Sequence, residues 1–147
     1  MAEDVDQEDA QVANAHSEAI LSSNPDLAGL YGVYAYNSPA QARAVKAAGK
    51  KPGEIKIVGF DALEETVQFM EQGWVDSVVD HRQYNFGYYA VMILNMMKIY
   101  GQEMTMYLLG FDPAVDPQKN IIYTPSYLIT GDGLPEYKEW HKSVFGK

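Results

Sequence analysis

The chain contains no cysteine, which excludes disulfide bonds, thiolate metal sites and a cysteine nucleophile. Basic residues are also few, because 11 lysines and arginines stand against 20 acidic residues and give a net charge of −9. This charge repels phosphate backbones and anionic membranes, so nucleic acid is not an expected partner. Five acidic residues fall within the first ten, where we expect a solvated, frayed segment: Glu3, Asp4, Asp6, Glu8 and Asp9.

Long apolar runs are absent as well. The most apolar stretch, residues 88–94, is followed by Asn95 and Lys98 and is shorter than the roughly 20 residues that span a bilayer. It therefore predicts a core helix rather than a membrane helix. Acidic residues follow Met1 where a secretory signal would have basic and then apolar residues, so we expect no signal peptide in this chain.

Signatures of catalysis are also lacking. The sequence has no Gly-x-Ser-x-Gly elbow, no phosphate-binding glycine loop and no dinucleotide fingerprint. His16, His81 and His141 lie too far apart in sequence for metal-ligand spacing. We therefore predict no catalytic residue, no metal site and no cofactor.

What the sequence does contain is an alternation of strand-like and helical segments. The 147 residues, 47% hydrophobic, are sufficient for one domain or lobe with a core. This order predicts an α/β fold, a parallel sheet with helices on both faces, similar to Rossmann and flavodoxin-like lobes. We expect a loop over 101–120 and an edge position for the last strand, which contains Pro125. The predicted helices are 7–23, 38–51, 62–72, 83–100 and 134–145, and the predicted strands are 27–36, 55–60, 75–79 and 121–130.

Polar side chains follow three of these strands. Asn37 comes after the first, Asp61 after the second, and His81 and Arg82 after the third. Ligands of open α/β sheets bind beyond the carboxyl ends of the strands. An amide both donates and accepts, a carboxylate accepts from hydroxyls, and histidine or arginine donates, so this mixture suits a polyhydroxylated neutral ligand.

Local structure offers an alternative for two of these positions. Asp61, followed by Glu64, matches a helix N-cap, and Ser38 with Gln41 matches a capping box. Capping alone would explain both patterns.

Three tyrosines alternate along the first predicted strand. Tyr31, Tyr34 and Tyr36 at this spacing favour packing on both faces of a buried strand. Tyr36, next to Asn37, has the alternative role of stacking on a sugar face.

Several segments together carry a family resemblance: "NPDLAGLYG", "KIVGFDA", "EQGWVDSVV" and "YNFGYYAV". From about residue 20 to residue 130 the chain resembles type I periplasmic sugar-binding proteins, the ribose/galactose-binding group of ABC transporter solute-binding proteins. The resemblance implies non-catalytic monosaccharide binding by Asn37, Asp61 and His81, with His81 in place of the family's usual amide. It also implies a parent protein in the periplasm or outside the cell that delivers sugar to an ABC transporter permease.

The resemblance further implies that residues 1–147 correspond to the C-terminal lobe of a two-lobe protein, with 83–120 belonging to the N-terminal lobe or hinge in the parent. Sugar binding would then be impaired in this chain. The helix 83–100 would leave an apolar surface, which predicts a homodimer. The alternatives are the effector-binding core of a lactose-repressor-type regulator, and a flavodoxin-like or hydrolytic enzyme that uses Asp61 or His81.

Overall fold

The computed structural model describes residues 5–110, 115–116, 119 and 121–146. It divides the chain into two compact units, of which one runs to Asp80 and resumes at Leu128, and the other spans His81–Tyr127. The helices are α1 (Ala10–Ser23), α2 (Asn37–Ala47), α3 (Glu64–Glu71), α4 (Tyr84–Leu109) and α5 (Leu134–Phe145). The strands are β1 (Gly29–Tyr31), β2 (Lys56–Phe60), β3 (Ser77–Asp80), β4 (Val115–Asp116), β5 (Ile121–Ile122) and β6 (Tyr127–Thr130).

The main sheet has four strands in the order β1-β2-β3-β6. β1 pairs in parallel with β2, with Leu30 opposite Ile57, and β2 pairs in parallel with β3, with Val58 opposite Ser77. A helix connects each of these parallel pairs, as crossover connections require. The predicted α/β fold is confirmed. The single strand predicted over 121–130 is divided into β5 and the edge strand β6, with Pro125 between them.

The core of the first unit lies between the sheet and helices α2, α3 and α5. Ile57, Val45 and Val78 are fully buried, and each contributes about 1.5–3 kcal/mol of apolar burial. The strand β2 alternates exposed and buried residues from Lys56 onward. The remaining core side chains include Val75, Met70, Trp74, Ile129, Leu134 and Tyr137.

The first strand differs from its prediction. We expected a ten-residue strand buried on both faces, but β1 has three residues and Tyr31 and Tyr34 are 59% and 50% exposed. The physical reason is that the chain leaves the edge of the sheet after Tyr31, so Tyr34 lies in the loop that leads to α2 rather than in a strand. The prediction that these tyrosines pack in the core is therefore wrong.

Helix α1 begins three residues later than predicted. The Asp9 carboxylate accepts hydrogen bonds from the N–H groups of Gln11 (2.7 Å) and Val12 (3.1 Å), which fixes the helix start. Gln7 and Glu8 just before it have left-handed backbone angles. The expected frayed segment is therefore held by hydrogen bonds at residues 6–9, and its first four residues lie outside the described residues.

The second unit also departs from expectation. Gly101 has non-helical backbone angles (φ 79°, ψ 164°), but helical structure continues after it to Leu109. The predicted loop over 101–120 is therefore wrong for residues 101–109. β4 and β5 form an antiparallel pair that the sequence did not predict, and Pro125 separates β5 from β6. Many apolar side chains of α4 are exposed, including Val91 at 71%, so the expected core helix is also wrong. Among the described residues, no helix is long and apolar enough to cross a membrane.

Candidate functional site

Asn37 lies at the first residue of α2, after the loop that leaves β1. Its Oδ1 accepts a hydrogen bond from the Tyr34 N–H at 2.7 Å, and its own N–H donates to the Tyr34 carbonyl at 3.0 Å. These two bonds close the loop between strand and helix. Asn37 is only 8% exposed, so it is a buried polar residue whose hydrogen bonds must be satisfied locally.

A carboxylate from outside this loop completes the arrangement. Asp6 Oδ2 accepts a hydrogen bond from Asn37 Nδ2 at 2.6 Å, and Asp6 Oδ1 accepts one from the Tyr36 hydroxyl at 2.8 Å. The Glu8 N–H donates to the same Oδ1 at 3.1 Å. Asp6 was predicted only as part of a solvated acidic segment, because nothing local to it signals a contact with residues 30 and 31 positions away.

The electrostatics of this cluster follow from its hydrogen bonds. Desolvation acts to raise the pKa of the Asp6 carboxyl, but the bonds from Tyr36, Asn37 and the Glu8 N–H hold that pKa below its ordinary value. Desolvation, followed by the hydrogen bond to Asp6, raises the pKa of Tyr36 to about 12. At neutral pH the cluster therefore contains an ionised carboxylate and a protonated phenol.

Two glycines allow the start of α2 to pack against the sheet. A Cβ at Gly32 would lie 2.6 Å from Asn37 Cβ, and a Cβ at Gly59 would lie 1.7 Å from Ser38 Oγ. Only glycine permits both approaches. The close contact brings the start of α2 onto β2, two residues before Asp61.

Asp61 lies directly after β2, in the left-handed region with φ 55°. Its N–H donates to the Val79 carbonyl at 2.8 Å, which extends the pairing between β2 and β3 by one residue. Aspartate tolerates this conformation better than most residues, although it remains uncommon outside turns and functional sites. The side chain is half-buried at the carboxyl edge of the sheet, the same edge from which β1 leads to Asn37.

Both capping interpretations are wrong. The N-cap of α3 is Leu63, which has no side-chain capping bond, so Asp61 lies two residues too early to cap this helix. Helix α2 begins at Asn37 with Tyr36 as its N-cap, so Ser38 lies inside the first turn rather than before it. The helix starts earlier than predicted because the Asn37 side chain closes the preceding loop.

One further carboxylate lies at this edge. Asp80 is the last residue of β3 and is 4% exposed, and Phe60 is paired with its neighbour Val79. Asp80 directly follows the third predicted strand but is not among the predicted site residues. Its signal was an acidic residue ending an otherwise apolar strand. Within the described ranges, no group of three or more acidic or histidine side chains could hold a metal ion.

His81 and Arg82 belong to the second unit. His81 is half-buried, and Arg82 has a left-handed backbone with φ 47°. The Arg82 guanidinium carbon lies 3.7 Å from the centre of the Tyr127 ring, a cation–π contact within that unit. Of the five predicted site residues, the structure thus brings Tyr36 and Asn37 together through Asp6.

Aromatic rings surround the carboxyl edge of the sheet in the first unit. Tyr34 and Tyr36 stack with ring centres 5.8 Å apart and planes 5° from parallel. Tyr31 packs edge-on against Phe60, which precedes Asp61, at 6.0 Å. Amide and carboxylate groups can hydrogen-bond to hydroxyls, and exposed aromatic rings can cover the apolar face of a small polar ligand.

Comparison with solved structures gives several matches. An ABC transporter solute-binding protein from Agrobacterium vitis, bound with α-D-tagatopyranose, is 25% identical over 91% of this chain and 40% of its own, with a TM-score of 0.73. GanP, a glucose-galactose binding protein from Geobacillus stearothermophilus, is 23% identical over 88% of this chain and 41% of its own, with a TM-score of 0.67. A periplasmic solute-binding protein from Actinobacillus succinogenes with bound D-allose is 14% identical over 90% and 41%, with a TM-score of 0.73.

The chain spans about two-fifths of the length of these structures. No curated protein matches it. The family model described as "Periplasmic binding protein domain" matches residues 2–103, more than half of the chain. The chain therefore belongs to the periplasmic binding protein family.

Proposed function

We propose that the chain binds a monosaccharide without catalysis, as part of an ABC transporter solute-binding protein. The observation that carries this proposal is the position of Asn37 and Asp61 after two neighbouring parallel strands, Asp61 directly after β2 and Asn37 at the start of the helix that follows β1, with exposed tyrosines at Tyr31 and Tyr34. Asp61 accepts hydrogen bonds from sugar hydroxyls, and Asn37 exchanges them through its amide.

The comparisons support this choice of ligand. Two of the similar structures contain α-D-tagatopyranose or D-allose, and a third is described as a glucose-galactose binding protein. By this proposal the parent protein acts in the periplasm or outside the cell and delivers its sugar to an ABC transporter permease. The comparisons do not favour the alternative of a lactose-repressor-type effector core.

The remaining predicted residues have secondary roles in the proposal. Tyr36 offers its ring or hydroxyl next to Asn37, and His81 and Arg82 stay predicted hydrogen-bond donors. Residues 83–120 belong to the N-terminal lobe or hinge of the parent protein. Because a two-lobe protein encloses its ligand from both sides, we expect this chain alone to bind sugar weakly or below detection by calorimetry.

The experiment must therefore detect weak binding. Ligand-observed NMR with D-tagatose, D-allose and D-galactose at millimolar concentration, against glycerol as a non-sugar polyol, would measure it. Asp61→Asn is the informative variant, because asparagine also tolerates the left-handed backbone while it removes the carboxylate. Asp132→Asn makes the same charge change at an exposed turn residue and is the matched control.

We expect Asp61→Asn to weaken sugar binding several-fold or more, because the charged acceptor of the hydroxyl donors is lost. Asp132→Asn should bind as the wild-type chain does. Equal sugar affinity of the wild-type and Asp61→Asn chains would show that the Asp61 carboxylate does not bind the sugar. Turnover of a glycoside that disappears in Asp61→Asn would contradict the proposal of a non-catalytic protein.

A further inference from the structure

The carboxylate of Asp6 occupies hydrogen-bonding groups that the proposed sugar site needs. Asn37 Nδ2 donates to Asp6 Oδ2 at 2.6 Å, and the Tyr36 hydroxyl donates to Asp6 Oδ1 at 2.8 Å. The other end of the Asn37 amide is already engaged, since Oδ1 accepts from the Tyr34 N–H. The Nδ2 group of Asn37 and the Tyr36 hydroxyl therefore donate to the Asp6 carboxylate, where the proposed site would have them donate to a ligand.

This contact also limits access. In the structure that contains this contact Asn37 is 8% exposed, so a sugar hydroxyl can reach its amide only if a neighbouring group moves. A hydroxyl oxygen and a carboxylate oxygen both accept hydrogen bonds, so a sugar hydroxyl competes with Asp6 for the Nδ2 hydrogen that Asp6 holds. The contact with Asp6 therefore opposes binding of a sugar at that position.

The segment that carries Asp6 folds back by an unusual turn. Gln7 and Glu8 both have left-handed backbone angles, with φ 53° and 63°, and the Asp9 N–H donates to the Asp6 carbonyl at 3.0 Å. Two consecutive non-glycine residues in this region are strained, so side-chain contacts must help to hold the turn. Those contacts are the ones that Asp6 makes with Tyr36 and Asn37.

We propose that residues 6–8 form an autoinhibitory strap, in which the Asp6 carboxylate occupies the Asn37 end of the sugar site and is displaced when sugar binds. This inference rests on the proposed function. The strap lowers the apparent affinity for sugar by the fraction of molecules in which it is closed.

The test compares Asp6→Ala with Glu8→Gln. The first variant removes the carboxylate that contacts Asn37, and the second removes one negative charge from the same segment without touching that contact. Titration with D-tagatose, D-allose and D-galactose by NMR should show about threefold to tenfold tighter binding for Asp6→Ala, because charge-assisted hydrogen bonds no longer oppose the sugar. Glu8→Gln should bind as the wild-type chain does.

A second measurement follows the contact itself. In Asp6→Ala the side-chain NH₂ resonances of Asn37 should shift, and no shift would overturn the strap whatever the sugar data show. Equal or weaker sugar binding by Asp6→Ala would refute the strap and leave the proposed function standing. A third outcome is that neither the wild-type chain nor any variant binds a sugar, although the Asn37 resonances shift in Asp6→Ala. That outcome would refute the proposed function, and with it the role of Asp6 as a competitor of sugar.

Discussion

The contact between Gly59 and Ser38 predicts a measurable cost for adding a single methyl group. In Gly59→Ala the new Cβ would lie 1.7 Å from Ser38 Oγ and 3.1 Å from Ser38 Cβ. Ser38 is fully buried, so its hydroxyl cannot turn outward into solvent without moving the start of α2. We expect the free energy of unfolding to fall by about 1–3 kcal/mol, as in other overpacked interiors.

Urea denaturation followed by circular dichroism would measure this loss. Gly131→Ala is the matched control, because nothing lies within 4 Å of its added Cβ, and it should change stability by less than about 0.5 kcal/mol. Ser38→Gly removes the two nearest atoms that the new methyl group would meet and leaves the Gly32 carbonyl oxygen as the nearest remaining atom, at an ordinary contact distance of 3.8 Å. Combined with Gly59→Ala, it should restore stability relative to the sum of the single variants by about 1 kcal/mol or more.

Two results would refute the assignment of this contact. One is a Gly59→Ala variant that unfolds at the same urea concentration as Gly131→Ala. The other is simple additivity of Gly59→Ala and Ser38→Gly, since two residues that do not touch should not be coupled. Because Asn37 directly precedes Ser38, a displacement of Ser38 in Gly59→Ala would also displace Asn37 in the proposed site.

The Asp76 carboxylate accepts hydrogen bonds from the Lys56 ammonium (2.8 Å) and from a backbone N–H of β2 (2.9 Å), so Asp76→Ala should lower the free energy of unfolding by about 1–3 kcal/mol. Lys56→Met, which removes only an exposed ion pair, should cost less than about 1 kcal/mol, and equal losses in urea denaturation would contradict this distinction. The difference between absorbance titrations of the wild-type chain and Tyr36→Phe should show Tyr36 ionising near pH 12, so the stabilising hydrogen bond of its hydroxyl is present below pH 10 and is lost as the pH rises through 12. Asp6→Ala should move the pKa of Tyr36 toward 10, and an unchanged pKa would contradict the contact between Asp6 and Tyr36. Light scattering should show a homodimer that Leu94→Glu weakens, because Leu94 is 65% exposed on an apolar helix, and a wild-type monomer across micromolar concentrations would refute it.

The elements that the sequence predicted well are those with strong local signals. β2 and β3 are short apolar segments between glycines and polar residues, and α2 ends where Gly49 adopts φ 73°. Helix α5 begins with Pro135 in its first turn and ends at Gly146 in the left-handed region. Such signals depend on a few neighbouring residues, so they can be read without knowing the tertiary structure.

The elements that the sequence predicted poorly depend on contacts distant in sequence. The segment 27–36 is as apolar as a central strand, but it leaves the sheet edge after Tyr31, and both Tyr31 and the loop residue Tyr34 are exposed. Gly101 suggested a helix end, yet helical structure resumes beyond its break. Edge position and resumption after a break are decided by packing partners, which periodicity does not reveal.

The candidate site shows the same division. Asn37 and Asp61 could be selected as candidates from the predicted strand positions alone, because ligand residues of parallel sheets follow the carboxyl ends of strands. Asp6 could not, because its contact with Asn37 joins residues 31 positions apart through a turn whose backbone angles are unusual for Gln7 and Glu8. The contact depends on the tertiary structure, which brings the two segments together.

Asn37 also shows why structural and functional roles need not be alternatives at such a site. Its Oδ1 holds the Tyr34 N–H and thereby closes the loop, which fixes the side chain and directs Nδ2 away from that loop. An amide held at one end loses little further rotamer freedom when the other end binds an acceptor. The local bond that makes Asn37 look purely structural is thus what prepares its Nδ2 donor for Asp6 in this structure and, in the function proposed, for a sugar hydroxyl.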